Sequence, residues 1–367
     1  MLRARSPLRR DGGRLGGLLV LGLTAFVGAL LAVTVAGREL SAPAAIVNMA
    51  LLFLPYLYAT AGIACFALWV AVPDRRLPGL MLGIVFVVGV YRWGPRWSQG
   101  SAPAGQPLTA MSWNVRRLWG GPADGGNATA CVVAGVRAVD PDVVTFLEVS
   151  RGDVDLLERE LELDCTHTPY LTGGAPKTGG LAACVRRGRW RLVSGSGQRF
   201  VDREDWSYVL SEIEREGQVF NLLAVHLYPY RVGERDLRRS LDELWDGRTE
   251  RVLDLGDRQE RVVAAQSDQS AALLDRVAKL HDPTIVAGDF NSTRDMALHV
   301  ALRTHLQDVW ERAGHGFGGT IQVFGSVPLR VDYIYASPAF AVQEAATPAF
   351  GCSDHEPVTT QLVLPAR

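Results

Sequence analysis

The sequence predicts an α/β protein, a layered sandwich of mixed β-sheets with flanking helices, carried behind a membrane region of two or three helices. Three observations lead there. Apolar residues make up 48% of the 367-residue chain and crowd into its first hundred positions. From Leu108 onward, short apolar runs alternate with polar helical patterns, as expected of strands packed under helices. Several of those runs end on Asn, Glu, His or Asp, so polar side chains gather at strand ends.

The membrane region comes first. Leu15 to Gly37 carries no charge over about 23 residues, enough to cross a bilayer. A second uncharged stretch runs from Leu40 to Pro73, with Ala44 to Val72 as its apolar body. The third, Leu77 to Tyr91, is about 15 residues long, short of the usual ~17–25. Arg92 reaching toward headgroups, with Trp93 and Trp97 at the interface, would extend it. It reads either as a full span or as an interfacial segment. The basic residues 1–14 and the PDRR link between the second and third stretches belong in the cytoplasm by the positive-inside rule. Three spans then carry the C-terminal domain outside, whereas an interfacial third stretch leaves it in the cytoplasm. A cleaved signal peptide is disfavoured by the length of the first stretch and the immediate arrival of the second. The predicted organisation is a cytoplasmic N-terminus (1–14), a membrane region (15–93), a linker (94–107) rich in Gly, Pro and Ser, and a globular domain (108–367).

Charge divides along the same line. Residues 1–100 hold ten arginines and three acids, leaving 28 basic and 36 acidic residues, a net of −8, for the remainder. Long nucleic acid is usually gripped by a basic surface, so this balance weighs against a nuclease. Of five cysteines, Cys65 lies in an apolar stretch; Cys131, Cys165, Cys184 and Cys352 fall in the globular part. These four read equally as disulfides or as scattered buried thiols. No CxxC pair is present, which argues against a structural zinc site.

Within the domain, LTAMSWNV, VVTFLEV, LAACV, YVLSEIE, FNLLAVHL, TIVAGDF, VDYIYA and PVTTQLVL read as strands, and Ala128–Val139, Asp153–Leu161 and Glu260–Lys279 as helices. Asn114 and Glu148 close the first two strands, and His226 ends FNLLAVH. Asp289 and Asn291 follow TIVAG in GDFN, Asp332 enters VDYIYA, and Asp354–His355 precede the last strand in SDHEPV. Strand ends of a sandwich share a rim, so these side chains can converge.

GDFN after an apolar strand, SDHEPV near the C-terminus, VDYI before it, and first strands ending in Asn and Glu match one pattern in order and spacing. Over residues 108–364 the chain resembles the endonuclease/exonuclease/phosphatase family. The resemblance implies a four-layer α/β sandwich of two mixed sheets (DNase I-like) and metal-dependent phosphoester hydrolysis. It implies Glu148 as principal metal ligand, with Asn114 and Asp354 completing the set, and Mg2+ as the ion with Mn2+ as an alternative; oxygen donors of this kind suit such ions. It further implies Asp289 as the base for an attacking water, Asn291 as a phosphate donor, His355 oriented by Asp332, and His226 as a second histidine. Each has a plainer reading. Glu148 can cap the helix that follows it, GDFN can be an Asx-turn, and histidines in strands are often structural. His167, His281, His299, His305 and His315 fit no position of the pattern and read as surface or loop residues.

Some nuclease members carry an acid two residues after the first-strand Asn. Here Arg116 stands there, which favours one metal over two and offers either a phosphate contact or an exposed salt bridge. The charged segment Tyr228–Gln259 follows His226 and reads as a gate or as a solvated helix. GGAPKTGG lacks the spacing and context of a phosphate-binding P-loop. A bilayer tether, an extracytoplasmic orientation and a net acidic domain together favour a phosphorylated substrate at the membrane. The arrangement resembles bacterial membrane members linked to teicoplanin resistance, which implies a multi-pass cell-membrane protein acting on a lipid-linked pyrophosphate. Nucleic acid is the alternative substrate, and an inactive binding scaffold the third reading.

Overall fold

A computed structural model of the chain describes residues 8–40, 45–97, 104–118, 128–172, 175–200, 207–230, 239, 242–243, 245–323 and 327–364. The chain divides into two compact units, Met1–Pro95 and Arg96–Arg367.

The first unit is helical: α1 (Leu8–Leu40), α2 (Ala45–Leu52), α3 (Leu54–Ala71) and α4 (Arg76–Trp93). Three segments, Gly16–Val35, Leu54–Ala71 and Arg76–Trp93, are long and apolar enough to cross a membrane. The second apolar stretch is not one continuous helix. It breaks at Phe53, with Pro55 in the first turn of α3, where a fixed φ and a missing N–H suit a helix start but not its interior. The third stretch reaches 18 residues because the helix takes in Arg76 and Trp93. Leu18, Leu21, Ile63, Phe86 and Val87 are exposed, an outward apolar surface suited to lipid. One buried polar pair, Thr34 Oγ1 to Tyr58 Oη at 2.8 Å, joins α1 to α3.

The second unit is built on two six-stranded sheets. β1 (Arg96–Trp97) pairs with a short strand far along the chain. β2 (Gln106–Asn114), β3 (Val143–Leu147), β4 (Leu163–Thr172) and β5 (Ala175–Arg186) then enter the first sheet. β6 (Arg191–Arg199), β7 (Ser207–Arg215), β8 (Gln218–His226), β9 (Thr284–Asp289) and β10 (Gln307–Asp308) belong to the second. β11 (His315–Gly316) is the partner of β1, and β12 (Ile321–Val323) pairs with β13 (Val327–Leu329). β14 (Asp332–Ala336) returns to the second sheet, and β15 (Ala341–Ala346) and β16 (Val358–Leu364) to the first. The orders are β15-β16-β2-β3-β5-β4 and β10-β14-β9-β8-β7-β6. Each sheet is antiparallel except for one parallel pair, β2 with β3 and β8 with β9. Both sheets are therefore mixed.

Period-two alternation assigns the faces. In β2 and β3, Leu108, Ala110, Val143 and Leu147 join the core shared with the second sheet, while Met111, Trp113, Val144 and Phe146 face the other way. That outer face is covered by α5 (Ala128–Val139) through Val132, Val133 and Val136, and by α6 (Arg151–Leu161) through Val154, Leu157 and Leu161. On the second sheet, α7 (Glu250–Ala278), α8 (Ala297–Leu302) and α9 (Val309–Ala313) contribute Leu273, Val277, Leu298, Leu302, Val309 and Trp310 to the main core. The result is four layers, helix–sheet–sheet–helix, as predicted. The long helix begins ten residues before the expected Glu260. Its polar first turns continue the charged segment after His226, of which residues 231–238, 240–241 and 244 lie outside the described residues, as do residues 98–103 of the expected linker.

The four domain cysteines form two disulfides, Cys131–Cys352 and Cys165–Cys184. The second joins directly opposed residues of β4 and β5. The first ties α5 to the segment before β16 across 221 residues of sequence. The double variant Cys131→Ser/Cys352→Ser should lose about 2–4 kcal/mol of stability. Thermal unfolding of the oxidised parent and the variant in the same detergent measures the loss, and equal melting temperatures would refute it.

Candidate active site

Parallel pairing aligns the ends of neighbouring strands, and both parallel pairs end at the same rim. In the first sheet Asn114 lies beside Leu147, with Glu148 next; in the second His226 lies beside Asp289. β14 runs the opposite way, so its first residue, Asp332, is also paired with Asp289. His355 reaches the rim on the segment leading into β16, bridged to Ile321. Trp113 Nε1, on the outer face of β2, donates to the His355 carbonyl at 2.9 Å. Glu356 accepts from the Phe350 and Gly351 amides at 2.8 and 3.1 Å. With the Cys131–Cys352 disulfide, these contacts fix the SDHEPV segment before any substrate arrives.

The side chains converge on one oxygen, Oδ2 of Asp289. Asn114 Nδ2 donates to it at 3.2 Å, His226 Nε2 lies at 3.4 Å and His355 Nε2 at 3.9 Å. Its partner Oδ1 accepts the Asn291 backbone N–H at 2.8 Å. The Asx-turn reading of GDFN is thus correct, and it coexists with a place in the cluster. Asn291 adopts φ 48°, the left-handed region that asparagine tolerates, and its Nδ2 donates to the Leu227 carbonyl at 2.9 Å. Asn114 Nδ2 also donates to Glu148 Oε1 at 3.1 Å, so one amide spans the two carboxylates.

Glu148 does not cap the following helix. Ser150 does, in a capping box with Asp153, which leaves the Glu148 carboxylate to the rim. Its φ of 58° turns the chain sharply between β3 and α6. Strained backbone of this kind clusters at functional sites. Asp354 is connected less directly. It is exposed and pairs with Arg116 at 3.3 Å, and the Arg116 amide donates to Asn114 Oδ1 at 3.1 Å. Arg116 is thus an exposed salt-bridge partner, carried on a three-residue turn whose φ angles of 45°, 58° and 53° are all positive.

Electrostatics separate the two histidines. His226 is buried, and desolvation, with His355's charge adding to it, pushes its pKa down to about 3. Desolvation also pulls His355 down, but Asp332, whose Oδ2 lies 2.8 Å from Nδ1, and Asp289 outweigh it, and the net effect is a rise to about 10. Burial, reinforced by Asp332, drives Asp289 up to about 7 against the pull of His355. At neutral pH the cluster holds a neutral His226, a charged His355 and a carboxylate poised to take a proton.

The donor atoms of Asp289, Asp332 and His355 lie within 4.8 Å of one another. A protonated imidazole committed to Asp332 is no metal ligand, so this trio is better suited to proton transfer. Glu148, Asp354 and the Asn114 carbonyl offer hard oxygens, the chemistry a divalent ion such as Mg2+ takes. A cation held there would neutralise charge on a phosphoryl oxygen.

Sequence reading missed several contributors. Gln269 Oε1 accepts the Tyr228 amide at 2.8 Å, and Gln266 and Gln259 donate to the Tyr228 and Tyr230 carbonyls at 2.6 and 3.0 Å. One face of α7 thereby clamps the chain leaving His226, and the helical spacing of the three glutamines was the available signal. Tyr170, 2.5 Å from His226 Nδ1, had none, because it lies in the polar run LDCTHTPYLT. His299 is not a surface residue. It is fully buried, between Ser292 Oγ at 2.9 Å and Tyr335 Oη at 2.7 Å. His167 is half-buried on β4, with Nε2 3.1 Å from the Val149 carbonyl.

The charge states predict a pH dependence. The folded protein keeps a proton on His355 that the unfolded chain releases above about pH 6.5. The stability from this pair is whole below that pH and is lost as pH rises through about 10. Between pH 7 and 10 the metal-free protein should lose up to about 1.4 kcal/mol per pH unit from this group. His355→Gln should show a shallower decline in thermal unfolding across the same window; parallel profiles would disprove the assignment.

The Endonuclease/Exonuclease/phosphatase family model matches residues 111–355, more than half of the chain and all the residues of the cluster. No curated protein matches the chain. Among solved structures, an endonuclease/exonuclease/phosphatase from Bacteroides vulgatus is 17% identical with a TM-score of 0.53, the match covering 71% of this chain and 99% of that one. A Bacteroides thetaiotaomicron mannosyl-6-phosphatase is 17% identical, TM-score 0.53, over 70% and 99%. D. rerio TDP2 with a single-strand DNA product is 18% identical, TM-score 0.52, over 70% and 99%. These similarities concern the fold. Together with the family match and the arrangement of the rim, they lead to one conclusion: the chain belongs to the endonuclease/exonuclease/phosphatase family and is a metal-dependent hydrolase of phosphate esters.

Proposed function

We propose that this protein is a membrane-anchored, Mg2+-dependent phosphoesterase that cleaves a phosphate ester or pyrophosphate at the membrane surface, with a lipid-linked pyrophosphate as the favoured substrate. The observation that carries the chemistry is the convergence of Asn114, His226 and His355 on Asp289 Oδ2. In this reading Asp289, raised toward neutrality, takes the proton of the attacking water, and the Asn114 and Asn291 N–H groups hold its carboxylate in place. His355, kept charged by Asp332, stabilises the negative charge that builds on the phosphoryl oxygens. His226 contacts a non-bridging oxygen, and Asn291 supplies a further donor. Glu148, with Asn114 and Asp354, would hold a Mg2+ ion, which would supply positive charge against the phosphoryl oxygens.

Location rests on separate observations. Three helices long and apolar enough to span a bilayer precede the domain. With the arginine-rich flank and PDRR in the cytoplasm, three spans carry the domain outside. Two disulfides in that domain fit an oxidising compartment. The architecture resembles the teicoplanin-resistance membrane phosphatases, and the net acidic domain supports a lipid phosphate over nucleic acid.

The test is phosphate release by the full-length protein in detergent with Mg2+, on undecaprenyl pyrophosphate and, separately, cleavage of single- and double-stranded DNA. Metal-dependent release from the lipid, lowered about 10³-fold or more in Asp289→Ala, with DNA untouched, is expected. DNA cleavage with an inert lipid would move the protein to a tethered nuclease, and inertness on every phosphate ester would make it a binding scaffold.

A further inference from the structure

Tyr170 occupies a position that the reading above leaves without a role. It projects from β4, is buried with 6% of its surface exposed, and meets the edge of the His226 ring with centroids 5.6 Å apart and planes at 68°. Its hydroxyl lies 2.5 Å from His226 Nδ1. A Cβ added at Gly179 would lie 3.6 Å from the Tyr170 ring and 3.9 Å from the Glu148 Cα, so the phenol lies near the residue turned to φ 58° at the end of β3.

The direction of the hydroxyl–imidazole bond follows from counting protons. A phenol has one hydrogen to give. The other ring nitrogen of His226 faces Asp289 Oδ2 at 3.4 Å. A bare imidazole lone pair opposite a carboxylate oxygen is repulsive, so the ring proton belongs on Nε2. Nδ1 is then an acceptor, and the Tyr170 hydroxyl must donate to it. Burial independently keeps the ring neutral, so one proton is shared between two possible tautomers and the surroundings select one.

We infer that Tyr170 is a positioning residue: its hydroxyl fixes His226 as the neutral tautomer protonated on Nε2. His226 accordingly donates a hydrogen bond to a phosphoryl oxygen and does not transfer a proton. This assignment rests on the phosphoesterase reading for its catalytic meaning, but the tautomer itself does not.

The experiment uses full-length protein in detergent, metal-free and with Mg2+, carrying ¹⁵N-labelled histidine. The His226 signals are identified by their loss in His226→Gln. In the parent, two-bond ¹H–¹⁵N correlations should place Nδ1 in the unprotonated range and Nε2 in the protonated range. In Tyr170→Phe the Nδ1 resonance should shift as its donor is lost, while His299 and His355 signals stay put and report an intact fold. On the substrate that the parent cleaves, kcat should fall about tenfold with KM within about twofold, the scale of one lost hydrogen bond. A parent ring protonated on Nδ1, or a Tyr170→Phe spectrum with Nδ1 unmoved, would overturn the assignment. If the variant does not fold, the parent tautomer alone decides. Absence of turnover with the expected tautomer intact would count against the phosphoesterase reading and leave this one standing.

Discussion

A carboxylate buried among apolar strands is unstable as an anion unless donors surround it. The rim of this sandwich is organised around meeting that need for Asp289. Asn114 comes from the first sheet, His226 from the neighbouring parallel strand, His355 from the segment before the last strand, and the Asn291 amide from the turn that follows. Asn114 and His226 reach Asp289 because both sheets contain one parallel pair whose strands finish at the same edge. Without that topology Asn114 and His226 would not meet at the carboxylate. Gly288 shows how closely the strands must approach, since a Cβ there would lie 1.8 Å from the Val225 carbonyl.

The two histidines illustrate how partner choice overrides shared burial. Both are withdrawn from water and both face the same oxygen. One has an acid behind it and stays charged; the other has a phenol behind it and stays neutral. Environments that push neighbouring groups in opposite directions let one fold supply a hydrogen-bond donor, a cation and a base within a few ångströms. The Asn114 amide, spanning Glu148 and Asp289, couples the proposed metal-binding side of the rim to the proton-accepting side.

Much of this was legible because chemistry-bearing residues stood at the ends of clean apolar runs. Asn114, Glu148, His226, Asp289, Asp332 and His355 were all recognisable from that placement. What escaped notice lies elsewhere. The unread strands β4, β6 and β15 are sheet edges. An edge strand has one hydrogen-bonded neighbour and less apolar burial, so its sequence need not alternate; β6, RLVSGSGQR, is mostly exposed along its length. Tyr170 was hidden in such an edge. His299 misled because a buried polar side chain is satisfied by partners distant in sequence, here Tyr335. The break between α2 and α3 was signalled by Pro55 but masked by unbroken hydropathy. Neither the pairing of the cysteines nor the attachment of Asp354 to Arg116 leaves a periodic trace.

The strand order has a consequence for biogenesis. β2, which carries Asn114, is flanked in its sheet by β3 and by β16, the last strand of the domain. The first strand of this sheet to be made therefore waits for the last, and the residues that meet at Asp289 are spread from position 114 to position 355. Such a chain cannot acquire a working centre piecemeal as it leaves the ribosome. Its contacts are long-range, and closing them is slow compared with forming a helix. Hydrolytic capacity appears only once the C-terminal strand has inserted, in whichever compartment that final step takes place.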